Sequence, residues 1–188
     1  MSSSYTKTRI MVECALMIAL GTILANIKIY ELPNGGSITL FSMVPFILVS
    51  FRHGVKWGLF TGFVNSLLQM LLGFYAPPAP GLLPLVGMIL LDYVLAFGVI
   101  GIAGLGRGKP HGIFWGSVLG GAARFVVHYI SGITIYKILA PTEIFGTVFD
   151  NPALYSLIYN GSYVGIDLVL CLVIFGILYA PLKKYMMG

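Results

Sequence analysis

The sequence predicts an all-α integral membrane protein, a six-transmembrane-helix bundle with both termini cytoplasmic. Three observations carry that prediction. Of 188 residues, 58% are hydrophobic and only 9% are charged, and apolar runs separated by short polar stretches fill nearly the whole chain. A soluble domain carries charged residues at about 25%, so this chain cannot cover itself with a water-facing shell, and its mean hydropathy of +0.95 agrees. These facts exclude a cytosolic globular enzyme and leave no room for a second, aqueous domain. Residues 1–188 read as a single membrane domain.

A spanning helix needs about 20 mostly apolar residues. Six segments are assigned, 8–28, 38–51, 55–75, 83–105, 113–139 and 154–182. The first has no small-residue cleavage signal behind it and reads as a retained helix. The second is short and contains Pro45, which predicts a kink or an incompletely helical crossing. Pro33-Asn34-Gly35-Gly36, Ala76-Pro77-Pro78-Ala79-Pro80-Gly81, Arg107-Gly108-Lys109-Pro110 and Pro141-Thr142 punctuate the breaks, all favouring turns or extended backbone.

Charge sets the orientation. Lys7, Arg9, Arg52, Lys56, Arg107, Lys109, Lys183 and Lys184 lie at the two termini and in the second and fourth connections, whereas the odd connections have only Lys28 and Lys137 near them. An excess of Lys and Arg marks the cytoplasmic side. Because the basic residues fall at the ends of apolar runs and not on one stripe, they do not indicate a nucleic-acid partner. Cys14 and Cys171 sit inside apolar spans and read as small hydrophobes. Small residues recur at four-residue spacing at Ala15/Ala19, Gly54/Gly58/Gly62, Gly116/Gly120 and Gly161/Gly165, where helix backbones can approach closely. Packing within the bundle accounts for most such pairs; for Ala15 and Ala19 on the first helix a partner protein is an alternative.

Ionisable residues inside spans are costly and become functional candidates. Four stand out: Asp92, Arg124, His128 and Asp167. At roughly 1.5 Å of rise per residue, Asp92 lies about 13 Å below the outer surface, Asn160 about 9 Å below it, and His128 about 22 Å above the inner surface. Three helices thus bring polar groups to one outward-facing depth, in the company of Tyr93, Tyr129, Tyr136, Tyr159 and Tyr163. His128, Gly132 and Tyr136 share a helix face by four-residue steps, and Gly132 leaves room between the other two. A carboxylate, an imidazole, an amide and aromatic rings suit a small, planar, partly cationic ligand. His128 by itself reads more often as a satisfied bundle histidine, and only its company makes it a candidate; Tyr5, Tyr179 and Tyr185 read as an interfacial belt. Arg124 and Asp167 both fall near the midplane and are expected to pair, closing the floor of the site. Glu13 is placed to pair with Arg9 at i,i+4.

Several motifs fail. The stretch from Gly104 to Pro110 has Ala103 and Pro110 where a phosphate-binding loop needs Gly and a hydroxyl. The Asn160-Gly161-Ser162 sequon lies within a span. Neither a zinc-binding His/Cys spacing nor a nucleophile elbow occurs, so no metal or other cofactor is expected.

The chain resembles the substrate-binding S-components of energy-coupling factor (ECF) vitamin transporters, and in particular the thiamine-specific ThiT/YuaJ type. The resemblance covers nearly the whole chain and rests on the stretch from Met43 to Gly54, Leu90-Leu91-Asp92-Tyr93, His128-Tyr129-Ile130-Ser131-Gly132, and Tyr155-Ser156-Leu157-Ile158-Tyr159-Asn160-Gly161. It implies a six-helix protein of the bacterial cytoplasmic membrane that captures thiamine from outside without chemistry, together with a membrane T-component and two cytoplasmic ATPases. By resemblance, Asp92 stands at the acidic position that binds the aminopyrimidine, followed by Tyr93. His128, Tyr155 and Asn160 fall on further ligand-contacting positions, and Tyr136 on that of the ring over the thiazolium. Ala15 and Ala19 fall on the small-residue motif through which the first helix meets the T-component, and Pro33-Asn34-Gly35-Gly36 on a lid. Gly36 and Leu40 stand where some relatives carry Trp and Glu, and the longer loop after Gly73 offers the ring of Tyr75. Two alternatives stay open on the residues: an S-component for another vitamin or precursor such as hydroxymethylpyrimidine, and an integral membrane enzyme using Asp92 and His128 as an acid–base pair.

Overall fold

The computed structural model describes residues 3–139 and 142–187, with side chains from 6 to 137 and from 142 to 181. Pro141, one of the expected turn residues, and the side chains of Tyr5, Lys183, Lys184 and Tyr185 lie outside the described residues. Six helices run in order: α1 (Ser3–Asn26), α2 (Val44–His53), α3 (Val55–Gly73), α4 (Leu82–Gly106), α5 (Gly112–Thr134) and α6 (Pro152–Met187). Four of them contain segments long and apolar enough to cross a bilayer, Thr6–Asn26, Leu82–Gly106, Gly112–Thr134 and Pro152–Pro181. Their outer faces carry bare apolar side chains such as Leu83, 84% exposed, and Leu16, 65% exposed, which only lipid would cover.

Two antiparallel hairpins correct the all-α expectation. Strands β1 (Lys28–Glu31) and β2 (Ser37–Thr39) pair between α1 and α2, and β3 (Thr142–Ile144) and β4 (Thr147–Phe149) pair between α5 and α6. The tip of the first hairpin turns at Asn34 and Gly35, both with left-handed φ, 66° and 90°, a conformation open to these two residue types.

The first hairpin accounts for the second expected span, 38–51, being only partly helical. Residues 38–43 are strand and turn, and only Val44–His53 is helical. Ten residues rise about 15 Å, half of a bilayer core. The remainder of the depth is covered by extended chain: Thr39 touches Asp167, which lies fifteen positions inside α6. Non-helical backbone is tolerated at that depth where it is buried in protein or lines a cavity. Pro45 causes no kink, because it sits in the first turn of α2, where its missing N–H has no helical partner to lose.

α4 is irregular. A π-helical stretch, Ile89–Leu95, interrupts it and its last turns, Val99–Gly106, are 3-10. α5 packs against that tail and against α6, and α3 packs against α4 on another side, while α1 packs mainly against α2, α3 and the first hairpin. Glycine permits the tightest crossings: a Cβ on Gly116 would lie 2.2 Å from the Ala103 carbonyl oxygen, and one on Gly62 2.3 Å from that of Phe97. Gly161 and Gly165 serve no such crossing, since nothing lies closer than 3.9 Å to a Cβ at either. Ala15 and Ala19 face outward on α1. Cys14 and Cys171 are buried free thiols.

Buried apolar side chains form two clusters. One, around Met43, Phe46, Ile47, Ile100, Ile113 and Phe175, fills the half nearer the chain ends. The other, around Leu32, Ile144, Tyr155, Tyr159 and Tyr163, joins the hairpins to the start of α6.

Candidate functional site

A cavity of about 460 Å³ opens toward the end of the bundle that carries the two hairpins, within the usual range for small-molecule sites. All six residues expected to bind a ligand line it: Asp92, Tyr93, His128, Tyr136, Tyr155 and Asn160. Their places in it differ.

Asp92 and His128 form its polar centre. Asp92 lies in the π-helical stretch of α4, whose extra residue per turn changes the direction of the side chains around it; such insertions are frequent at functional sites. Asp92 Oδ1 accepts from His128 Nδ1 at 3.0 Å and Oδ2 accepts from Ser131 Oγ at 2.6 Å. Ser131 stands three residues beyond His128, on the same face of α5. With Nδ1–H given to the carboxylate, Nε2 of the neutral ring offers a lone pair, and it has no hydrogen-bond partner among the described residues.

Asn160 and the tyrosines are engaged with the protein. Asn160 Nδ2 donates to the His128 carbonyl, the Ser156 carbonyl and Ser156 Oγ at 3.3, 3.0 and 3.0 Å, and its Oδ1 accepts from Tyr163 Oη at 3.0 Å. Its amide therefore fixes the wall between α5 and α6. Tyr93 Oη accepts the Tyr75 N–H at 2.9 Å, tying down the chain after α3, and its ring stacks on Phe74. Tyr155 Oη accepts from Asn34 Nδ2 at 3.3 Å. Tyr136 lies in a 3-10 turn just past α5, half-buried, and burial pushes its phenol above its ordinary value, so that it stays neutral. His128, Gly132 and Tyr136 all line the cavity, but only the first two share a face of α5, which ends at Thr134 before the step to Tyr136 is complete. The room expected at Gly132 is taken, however: a Cβ there would meet Ser156 Oγ at 2.0 Å. Tyr129 is not part of the lining; it stacks with Phe125 instead.

The floor is ionic, as the spacing predicts. Arg124 Nη1 lies 3.7 Å from Asp167 Oδ2, with both side chains buried, and the guanidinium sits 5.3 Å from the centre of the Phe97 ring. Among the described residues, Arg124 Nε and Nη1 have no hydrogen-bond partner. Sequence reasoning missed Gln69, whose buried Nε2 has no hydrogen-bond partner among the described residues and which also lines the cavity. Its signal was available, as an amide within an apolar run. It also missed Thr39, Ser42 and Ser131, hydroxyls that say nothing of their surroundings until the chain is folded.

Glu13 pairs with Arg9 at 3.4 Å, as expected, but more closely with Arg52 at 2.9 Å and with His53 at 2.7 Å, so it ties α1 to the end of α2 far from the cavity. Among the described residues, no three His, Cys, Asp or Glu side chains converge to hold a metal ion.

A helical bundle with lipid-facing walls and a polar, ring-lined cavity at one end defines a multi-pass membrane protein that takes up a small molecule. Residues 11–187 match the family model described as thiamine transporter protein, Thia_YuaJ. The thiamine transporter ThiT of Bacillus subtilis (strain 168) is 32% identical over 90% of this chain and 89% of its own, and that of Lacticaseibacillus paracasei is 30% identical over 73% and 71%. A solved structure of ThiT from Listeria monocytogenes shares the fold, with a TM-score of 0.77 at 22% identity, covering 96% of this chain and 98% of that one. The chain belongs to the Thia_YuaJ thiamine transporter protein family.

Proposed function

We propose that this chain is the thiamine-binding subunit of an ATP-driven importer, which captures the vitamin from outside and performs no chemistry on it. It is a transport protein and not an enzyme. The observation that carries the reading is the Asp92–His128–Ser131 constellation opening on the cavity of a chain of this family. A carboxylate offers about four lone-pair sites, and two of Asp92's are used by His128 and Ser131. The rest, with His128 Nε2, are suited to the exocyclic amine of an aminopyrimidine. The thiazolium cation would lie against a neutral ring, Tyr136. With both termini cytoplasmic, as the basic residues at that end support, the cavity faces outward. In the same reading Ala15 and Ala19, on the bare face of α1, meet a membrane T-component that works with two cytoplasmic ATPases.

Calorimetric titration of the purified protein tests the reading. Thiamine is expected to bind saturably at one site per chain, more tightly than its pyrimidine half or its thiazole half alone. Preference for hydroxymethylpyrimidine over thiamine would assign the site to the precursor, and the absence of saturable heat for any of them would end the proposal. Heat is the better signal than intrinsic Trp emission, because neither Trp57 nor Trp115 lines the cavity.

A further inference from the structure

One face of α6 presents Tyr155, Tyr159, Tyr163 and Asp167 at successive four-residue steps, and every one of them meets the first hairpin. Tyr155 accepts from Asn34. Tyr159 Oη accepts the Gly36 N–H at 2.8 Å and donates to the Pro33 carbonyl. The Tyr163 ring packs so close to Gly36 that a Cβ there would lie 3.0 Å from it. Asp167 Oδ1 accepts the Thr39 N–H at 2.8 Å, and both its oxygens lie within 3.4 Å of the Thr39 hydroxyl.

These contacts differ in kind from tip to base: they are neutral at the tip, where Tyr159 holds Gly36 and Pro33 by short bonds, and charged at the base. At the tip, Asn34 meets Tyr155 in a long, partly exposed bond between neutral groups. At the base, a backbone N–H meets a carboxylate that is 3% exposed. Bonds to ionised acceptors are roughly twice as strong as neutral ones, and a backbone N–H left unpaired at membrane depth is costly. The chain just beyond is fixed as well. Phe41 has a left-handed φ of 58°, uncommon for a bulky residue, its N–H donates to the Thr39 carbonyl at 3.0 Å, and Ser42 Oγ lies 2.6 Å from the Thr39 hydroxyl.

We infer that Asp167 is a positioning residue for ligand retention: it is the fixed pivot of the first hairpin, which uncovers the cavity by peeling residues 34–36 off the tyrosines while Thr39 stays on the carboxylate. Asp167 is not part of the cavity lining; it acts on the cavity through the Thr39 backbone on one side and through Arg124, which does line the cavity, on the other, and the hairpin exchange readout isolates the first. Arg124 supplies the counter-charge that keeps the buried carboxylate available to Thr39. The inference rests on the reading of the cavity as a thiamine site only for its ligand readout; the hairpin readout is independent of any ligand.

Hydrogen exchange of the full-length, ligand-free protein in nanodiscs, read by mass spectrometry over residues 28–43, is compared for the parent, Asp167→Ala and Asp167→Asn. Thiamine dissociation is measured on the same samples. Asp167→Ala is expected to speed exchange at Thr39 and its neighbours at least tenfold and thiamine release at least tenfold. Asp167→Asn keeps an oxygen for the Thr39 N–H but not the charge, and is expected to fall between the parent and Asp167→Ala on both, a partial rescue that a space-filling role would not predict. Should Asp167→Ala fail to fold with Arg124 left unpaired, Asp167→Leu combined with Arg124→Met removes both charges and carries the same expectation for exchange. Unchanged exchange at Thr39 in the folded variant overturns the pivot. Faster exchange with unchanged release overturns the role in retention. Failure of the parent protein to bind thiamine overturns the functional reading instead, and the exchange data still decide the pivot.

Discussion

Replacing Asp92 by Asn tests the centre of the proposed site at constant shape. In the parent protein the carboxylate accepts two hydrogen bonds from the chain, at 3.0 and 2.6 Å, and keeps two acceptor positions for a ligand. Asn retains one oxygen and exchanges the other for a donor. The Ser131 hydroxyl can reverse its role to meet that donor, so the wall between α4 and α5 survives, and the loss falls on the ligand. A hydrogen bond to a charged group contributes ~1.5–3 kcal/mol and a neutral one ~0.5–1.5, so the ligand bond to the retained oxygen weakens by about 1–1.5 kcal/mol and the bond to the replaced oxygen, ~1.5–3 kcal/mol, is lost. The total of about 2.5–4.5 kcal/mol corresponds to a roughly 60- to 1,500-fold rise in the Kd for thiamine. Calorimetry on the detergent-purified variant, with helicity checked by circular dichroism, reads this directly. An affinity within threefold of the parent in a folded Asp92→Asn protein would refute the assignment, because no other carboxylate in the cavity shares His128 and Ser131.

Three further outcomes are expected. Gly132→Ala forces a methyl to 2.0 Å from Ser156 Oγ, and overpacking of this kind costs about 1–3 kcal/mol; a lowered thermal midpoint should accompany weaker binding, since the Ser156–Asn160 network shifts with it. Tyr159→Phe removes the phenol held by the Gly36 N–H and the Pro33 carbonyl, and proteolysis of the ligand-free protein at residues 33–36 should become several-fold faster with little change in global melting. Glu13→Ala takes the shared carboxylate from Arg9, Arg52 and His53. Because that cluster is only partly buried, a loss of about 1–3 kcal/mol is expected in a denaturant titration, with thiamine affinity preserved.

The sequence alone determined the solvent and the number of helices, for composition and apolar run length depend on no fold: too few charges to face water leave lipid as the medium, and lipid demands satisfied backbones. It also determined that Asp92, His128 and Asn160 share a depth, because helical rise converts residue number to height. The pairing of Arg124 with Asp167 followed in the same way. Rise fixes height but not azimuth, and what surrounds a side chain at its height belongs to the tertiary structure. Only folding set Ser156 into the space beside Gly132, turned Tyr129 away from the cavity, and engaged Asn160 within the wall. The plunge of the first hairpin was equally unreadable. The length and Pro45 of residues 38–51 pointed to an incompletely helical crossing, but which part is extended was hidden, because an extended chain at membrane depth bears the same apolar side chains as a helix. It is kept extended by a partner 128 residues away, the Asp167 carboxylate that accepts the Thr39 N–H. The π-helical stretch that carries Asp92 has no local signature either, since its backbone register is settled by the packing of α3 and α5 on both sides of it.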